Sequence, residues 1–220
     1  GDSGAGKTRL ALELCDMARR AGVAVHVGLG VAGDGAPLGA LRPFMQEVAD
    51  ACRERGEAEA RRLLGPWGKI LAPYEPSLDA LPTVRAEPEP EALDAGAAQE
   101  RLAHAFTELL RALCDTEPRL LFVDDVHLAD ALTVQLLRRG ASAGLPFLLV
   151  ASMRAIDPGG AAELLGMEGV ARCSVSALDG KAVSVMLGDM LALPEPPAAF
   201  SRFLLEQSEG NPMFVAEYLR

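Results

Sequence analysis

The first eight residues, Gly1-Asp2-Ser3-Gly4-Ala5-Gly6-Lys7-Thr8, have the residue types and spacing of a loop that holds polyphosphate, G-x-x-x-x-G-K-T. Glycines at 1, 4 and 6 permit backbone conformations that turn successive N–H groups toward one anion. Lys7 adds a point charge for the outer phosphates, and Thr8 adds a hydroxyl of the kind Mg²⁺ accepts. From Arg9 to Ala21 apolar residues recur at helical spacing and stop at Gly22, so the loop opens a helix. The start of a helix is where the backbone dipole favours an anion.

A second group of reactive types lies in Leu120-Leu121-Phe122-Val123-Asp124-Asp125-Val126-His127-Leu128-Ala129-Asp130. An apolar strand ending in two carboxylates delivers negative charge to the carboxyl edge of a parallel sheet, where α/β folds place their ligands. Beside a phosphate loop, Asp124 is expected to hold Mg²⁺ through water and Asp125 to polarise the water that attacks the γ-phosphate. Asp130 precedes the helical run Ala131 to Arg139 and reads as an N-cap. His127 reads equally as a group that orients the acidic turn or as filler. The apolar run Pro146 to Ser152 ends in Met153-Arg154, a cation that could reach the γ-phosphate, although its spacing also describes an ordinary exposed arginine. Gly210-Asn211-Pro212 is helix-start chemistry, with Asn as cap and Pro at the first helical position.

The elements that must position these groups are readable from the apolar pattern. Half of the 220 residues are hydrophobic, enough for one substantial core, and one domain with a small helical appendage is expected. Four short apolar runs, Val23 to Leu29, Leu120 to Asp124, Pro146 to Ser152 and Arg172 to Ser176, alternate with helical segments, the pattern of a largely parallel sheet in an α/β fold. Between the first two lies a long excursion: helices Leu38 to Arg55 and Glu57 to Leu64, then Trp67 to Leu71. The acidic, proline-rich stretch Pro82 to Glu91, within a loop of about 82–96, is expected to be a mobile surface segment. Ala97 to Cys114 reads as a long amphipathic helix.

Net charge −10 excludes the electrostatic footprint of a nucleic-acid or anionic-membrane binder. The four cysteines are widely spaced with no C-x-x-C pair, so buried free thiols are expected rather than a zinc site. No apolar run is long enough to span a bilayer and no secretory signal is visible, from which a cytoplasmic location is expected. A phosphate loop is expected to follow a buried strand, which does not precede Gly1, and the sequence therefore reads as a piece of a longer protein.

In order, GDSGAGKTRL, LLFVDDVHLAD, LLVASMR and SEGNPMFVAEYLR resemble the AAA-like ATPase module of the signal-transduction ATPases with numerous domains. These modules sit in large bacterial regulators, including LuxR-type transcription activators, adenylate cyclase fusions and serine/threonine kinase fusions. The resemblance spans essentially the whole chain. It implies a partial P-loop NTPase domain over 1–220, a three-layer α/β sandwich of the ASCE type with a parallel sheet. The first strand before the loop would be missing, with a helical insertion at about 38–72 and the start of a helical lid at about 178–220. It implies that ATP, ADP and Mg²⁺ are the cofactors. Gly1, Ser3, Gly4, Ala5, Gly6, Lys7, Thr8 and Arg9 would bind nucleotide, Thr8 and Asp124 would hold the metal, and Lys7, Asp125 and sensor Arg154 would act in catalysis. Pro212 would pack by the adenine. Leu128 stands where the family usually has an aromatic.

The implied activity is slow ATP hydrolysis that switches a larger polypeptide, with winged-helix, repeat-sensor, kinase, cyclase or DNA-binding domains as partners and ATP-dependent self-association. Neither nucleic acid nor membrane would bind this domain directly. Two alternatives stand beside it. One is a small-molecule phosphotransferase, which would need arginines from the excursion (Arg42, Arg53, Arg55, Arg61, Arg62). The other is a scaffold that binds nucleotide without hydrolysing it. The acid-interleaved spacing of those arginines favours a solvated face.

Overall fold

The computed structural model describes residues 1–32, 37–154 and 159–220, which form two compact units. The larger unit begins at Ala11 and contains a three-stranded parallel sheet in the order β1 (Ala24–Leu29), β2 (Arg119–Asp124), β3 (Phe147–Ala151). The register sets Val25 opposite Leu120 and Leu120 opposite Leu148, so the three strands end together at the same edge.

Period-two alternation in β2 divides the core. Leu120 and Phe122 face one way, onto Ala11 and Cys15 of α1 (Lys7–Arg20) and onto Val25 and Val27. Leu121 and Val123 face the other way, into the main core. That second layer is built from α2 (Arg42–Arg55), α3 (Glu57–Leu64), the short helices α4 (Gly68–Leu71), α5 (Pro76–Asp79) and α6 (Pro82–Ala86), and α7 (Ala95–Cys114), α8 (Ala131–Ala141) and α9 (Ala162–Leu165). Phe44 and Phe106, both fully buried, meet edge to face at 6.1 Å in its centre. A sheet covered by helices on both faces explains why β2 reads as a continuous apolar run. Gly28 shows how tightly the 3₁₀ turn Gly39–Leu41, just before α2, approaches the sheet, because a side chain there would meet the Ala40 carbonyl at 2.2 Å.

The smaller unit gathers Gly1–Leu10, Arg154 and Ala171–Arg220. Its helices are α10 (Gly180–Leu191), α11 (Ala198–Ser208) and α12 (Pro212–Tyr218), closed around Val183, Leu187, Leu204 and Val215. Four of the helix starts carry a side-chain cap of the expected kind. Asp94, Asp130, Asp179 and Asn211 each accept a backbone N–H from the first turn of their helix. Such caps contribute about 1 kcal/mol each.

Three expectations are corrected. Residues 172–176 form no strand: most of the stretch is exposed, and among the described residues its backbone joins no ladder. An extended segment persists as a strand only with a hydrogen-bonded neighbour, and here the Val175 carbonyl lies against Gly1 while the Leu178 N–H bonds to Gly210 O at 2.8 Å. Pro82–Ala86, expected in a mobile loop, is a helical turn with Pro at its start, and Val84 is buried against Gly68. Its one apolar anchor outweighs the acidic composition of residues 87–91. Cys15, Cys52 and Cys114 are buried as expected, but Cys173 is exposed.

No helix among the described residues is long and apolar enough to cross a membrane. Burial raises the thiols of Cys15 and Cys114, and burial followed by the nearby Glu59 pushes Cys52 up to about 11. Alkylation follows the thiolate. Brief iodoacetamide treatment of the native protein should therefore label Cys173 alone, with all four cysteines labelled in denaturant. Rapid native labelling of Cys52, read by peptide mass spectrometry, would contradict this packing.

Candidate functional site

The phosphate loop takes the conformation its glycines permit. Gly4 and Gly6 have φ of 78° and 95°, in the region where an L side chain is strained. At Gly6 the conformation alone requires glycine, since nothing lies within 4 Å of a built Cβ. At Gly4 space requires it too, because a Cβ would meet Asn211 Oδ1 at 2.7 Å and Met213 Cβ at 2.9 Å. Among the described residues the amides of Gly4, Gly6 and Lys7 have no backbone acceptor, the open N–H array an anion needs. Lys7 opens α1 and folds back over the loop, its Nζ donating to Gly1 O at 3.0 Å and Asp2 O at 2.8 Å.

The same unit brings the Gly210-Asn211-Pro212 turn onto this loop. Asn211 caps α12 by accepting from Met213 N–H at 3.0 Å, and its Nδ2 donates to Ser3 O at 2.9 Å. Met213 N–H also reaches Gly4 O at 3.3 Å. Cap chemistry was legible in the sequence, but the bond to the loop, 208 residues away, was not. Pro212 is the first residue of α12, as expected. Beside the loop lies a cavity of about 290 Å³ bordered by Asp2, Ala5, Val175, Ala177, Asn211 and Phe214, while Pro212 is not among its lining residues. Ser3, Thr8 and Arg9 are exposed, and Arg154 is exposed beyond the end of β3.

In the larger unit, β2 delivers Asp124 and Asp125 to the carboxyl edge of the sheet. Asp125 adopts a left-handed conformation, φ 48° and ψ 44°, which turns the chain sharply out of the strand. Ser152, one residue beyond β3, holds that turn. Its Oγ donates a short hydrogen bond to Asp124 Oδ1 and accepts the Asp125 N–H at 2.9 Å, while its carbonyl accepts Val126 N–H at 2.9 Å. Gly30 presses on the other side, where a Cβ would meet Asp125 O at 2.3 Å. Asp130 caps α8 through Thr133 N–H at 2.9 Å and also accepts Leu38 N–H at 3.1 Å, so it fixes the start of the excursion as well. A small polar residue ending the strand beside the acidic one was the available signal for Ser152, whereas Gly30 carried none.

The arginines of the excursion are engaged with neighbouring acids. Arg53 pairs with Asp50, Arg55 and Arg62 with Glu59, Arg61 with Glu57, and Arg42 with Glu75. They form the solvated, acid-interleaved face the spacing suggested rather than a cluster awaiting a second phosphorylated substrate.

Removing the Ser152 hydroxyl would leave the Asp125 amide without its acceptor and take one hydrogen bond from Asp124. Ser152→Ala should lower unfolding stability by about 1–3 kcal/mol, and Gly30→Ala should cost about as much through overpacking. Urea denaturation measures both, and an unchanged midpoint in either variant would remove that residue from the turn's support.

No curated protein and no solved structure gives a significant match to the chain. A family model described as AAA ATPase domain matches residues 1–150, which include the phosphate loop, the excursion, the acidic strand end and the start of β3. With a phosphate-binding loop at its start, paired acids ending the central strand and that match over most of its length, the chain belongs to the AAA ATPase domain family.

Proposed function

We propose that this domain binds ATP and ADP with Mg²⁺ and hydrolyses ATP slowly, as a nucleotide switch inside a larger bacterial signalling or transcription-regulating polypeptide. The observation that carries the switch reading is the Asn211 to Ser3 bond, with Met213 to Gly4 beside it. Through these bonds the backbone carbonyls of the phosphate loop are tied directly to the helices at the end of the chain. A loop that reshapes around a nucleotide then alters those helices, which a rigid scaffold would not require. The insertion of about 38–72 and the lid from about 178 are the units we assign to this module. It works in the cytoplasm alongside winged-helix, repeat-sensor or output domains and self-associates with ATP bound.

In this reading the loop amides and Lys7 hold the phosphates. Pro212 sets the start of α12, so that Phe214, Val175 and Ala177 give the base an apolar wall. Among the described residues no group of three or more His, Cys, Asp and Glu side chains could enclose a metal. Mg²⁺ needs none here, since it binds through one or two hard oxygens together with substrate phosphates, and Thr8 and Asp124 supply oxygens of that kind. Bound there, the ion would neutralise charge on the phosphate oxygens. Asp125 orients a water and accepts its proton as the water oxygen bonds to the γ-phosphorus. The bond from that phosphorus to the bridging oxygen breaks, leaving its electron pair on ADP, and inorganic phosphate departs. Lys7 and Arg154 stabilise the charge on the transferring group.

Calorimetric titration of the 220-residue chain with ATP and with ADP, in Mg²⁺, tests the binding. Lys7→Ala should abolish measurable affinity for both. Asp125→Asn should keep ATP affinity within severalfold while slowing phosphate release by about 10²- to 10⁴-fold. A folded wild-type chain that binds neither nucleotide would end this reading, and an Asp125→Asn variant with undiminished turnover would remove Asp125 from the chemistry.

A further inference from the structure

The turn after Asp125 carries a side chain to which the hydrolytic mechanism assigns no role. His127 lies in the single 3₁₀ turn Val126–Leu128, with its side chain only 5 % exposed. Among the described residues neither of its ring nitrogens makes a hydrogen bond. Burying both unpaired is costly, and an apolar ring would fill the same space without that cost. What lies beside the imidazole is an acid: Nδ1 is 3.8 Å from Asp125 Oδ1.

The backbone geometry keeps the two groups together. Gly159 packs on the His127 carbonyl, where a Cβ would come within 2.8 Å of the oxygen, so the turn cannot retreat on that side. The Asp125 amide and the next N–H are held by Ser152. These bonds fix the Asp125 backbone but leave its carboxylate, 39 % exposed, to be aimed by something else. His127 is a side chain set directly against that carboxylate. The gap is about one ångström beyond an N–H···O bond, and contacts of this kind in unliganded sites commonly tighten when substrate arrives.

We propose that His127 is the positioning residue for Asp125: with nucleotide bound, its Nδ1–H donates to Asp125 Oδ1 and fixes which carboxylate oxygen faces the attacking water. This deepens the proposed function and rests on its assignment of Asp125 as the acceptor of the water proton. The role would be indirect, since His127 acts only through Asp125. The competing account is that His127 fills volume under the acidic turn.

Three variants of the 220-residue chain separate the two. His127→Phe keeps the ring and removes both nitrogens, His127→Asn restores a donor near the Nδ1 position, and Asp125→Asn removes the partner charge. The expected result for His127→Phe is a kcat lower by roughly 10- to 100-fold, with the calorimetric Kd for ATP within about twofold of wild type. His127→Asn should recover most of the rate. Melting-temperature shifts of His127→Phe, Asp125→Asn and the double variant should fail to add by about 2–4 °C. Wild-type turnover in folded His127→Phe overturns the proposal, as does an additive set of melting shifts. A wild-type protein that binds ATP without releasing phosphate would instead overturn the hydrolytic reading. The melting shifts would then decide the pairing alone, non-additivity upholding it and additivity ending it.

Discussion

Asp125 is held in a backbone conformation that an L-aspartate enters only at a cost of about 1–2 kcal/mol, and much of the larger unit is arranged to keep it there. Its amide is fixed by Ser152 from the neighbouring strand, and its carbonyl is pressed by Gly30 at the end of the first strand. All three strands therefore contribute to one turn, and they do so only because their register brings them to a common edge. Downstream, Asp130 caps α8 and binds the Leu38 amide, so the direction in which the chain leaves Asp125 also sets the start of the helical excursion. If Asp125 relaxed to an extended conformation, the cap, the excursion and the carboxylate pair would all have to be placed again.

The phosphate loop rests on a comparable constraint of a different kind. Its glycines are required partly by torsion and partly by contact: Gly6 by its φ alone, Gly4 by the closeness of Asn211 and Met213 as well. A loop constrained only by torsion is a fixed cradle, whereas one whose carbonyls accept hydrogen bonds from a distant helix start is coupled to that helix. Gly210 completes the coupling, since a side chain there would run into the Leu178 carbonyl at 2.2 Å.

Wherever chemistry dictated local residue types, the sequence was readable. The loop from Gly1 to Thr8, the acids ending β2, the caps at Asp130 and Asn211, and three of the strands all arise from short-range patterns. What escaped depended on partners far along the chain. Ser152 is an ordinary strand-end residue until β3 is set beside β2. Gly30 looks like any loop glycine until Asp125 turns back over it, and Asn211 looks like a plain cap until the loop supplies Ser3. Residues 172–176 misled for the converse reason: their apolar content suggests a strand, but strand formation requires a neighbour, and local pattern does not report one. Pro82–Ala86 misled because one buried valine decides its conformation against an acidic average.

Buried apolar contact is distributed unevenly between the two units. The larger unit buries Phe44, Phe106, Phe122 and a continuous aliphatic core, whereas the helices at the end of the chain close over little more than Val183, Leu187, Leu204 and Val215. They leave Val185, Phe203, Phe214 and Tyr218 about half exposed. A core that small supports only low local stability, and moving elements are drawn from the least stable parts of a fold. The loop that ties to these helices is the one through which a nucleotide would stabilise them. A ligand present at a hundred times its dissociation constant adds about 2.7 kcal/mol to whatever it binds, a small sum for the main core and a large one for a cluster of four buried side chains. The helices α10, α11 and α12 therefore rest on a small buried cluster, and the start of α12 is bonded directly to the loop at Ser3 and Gly4.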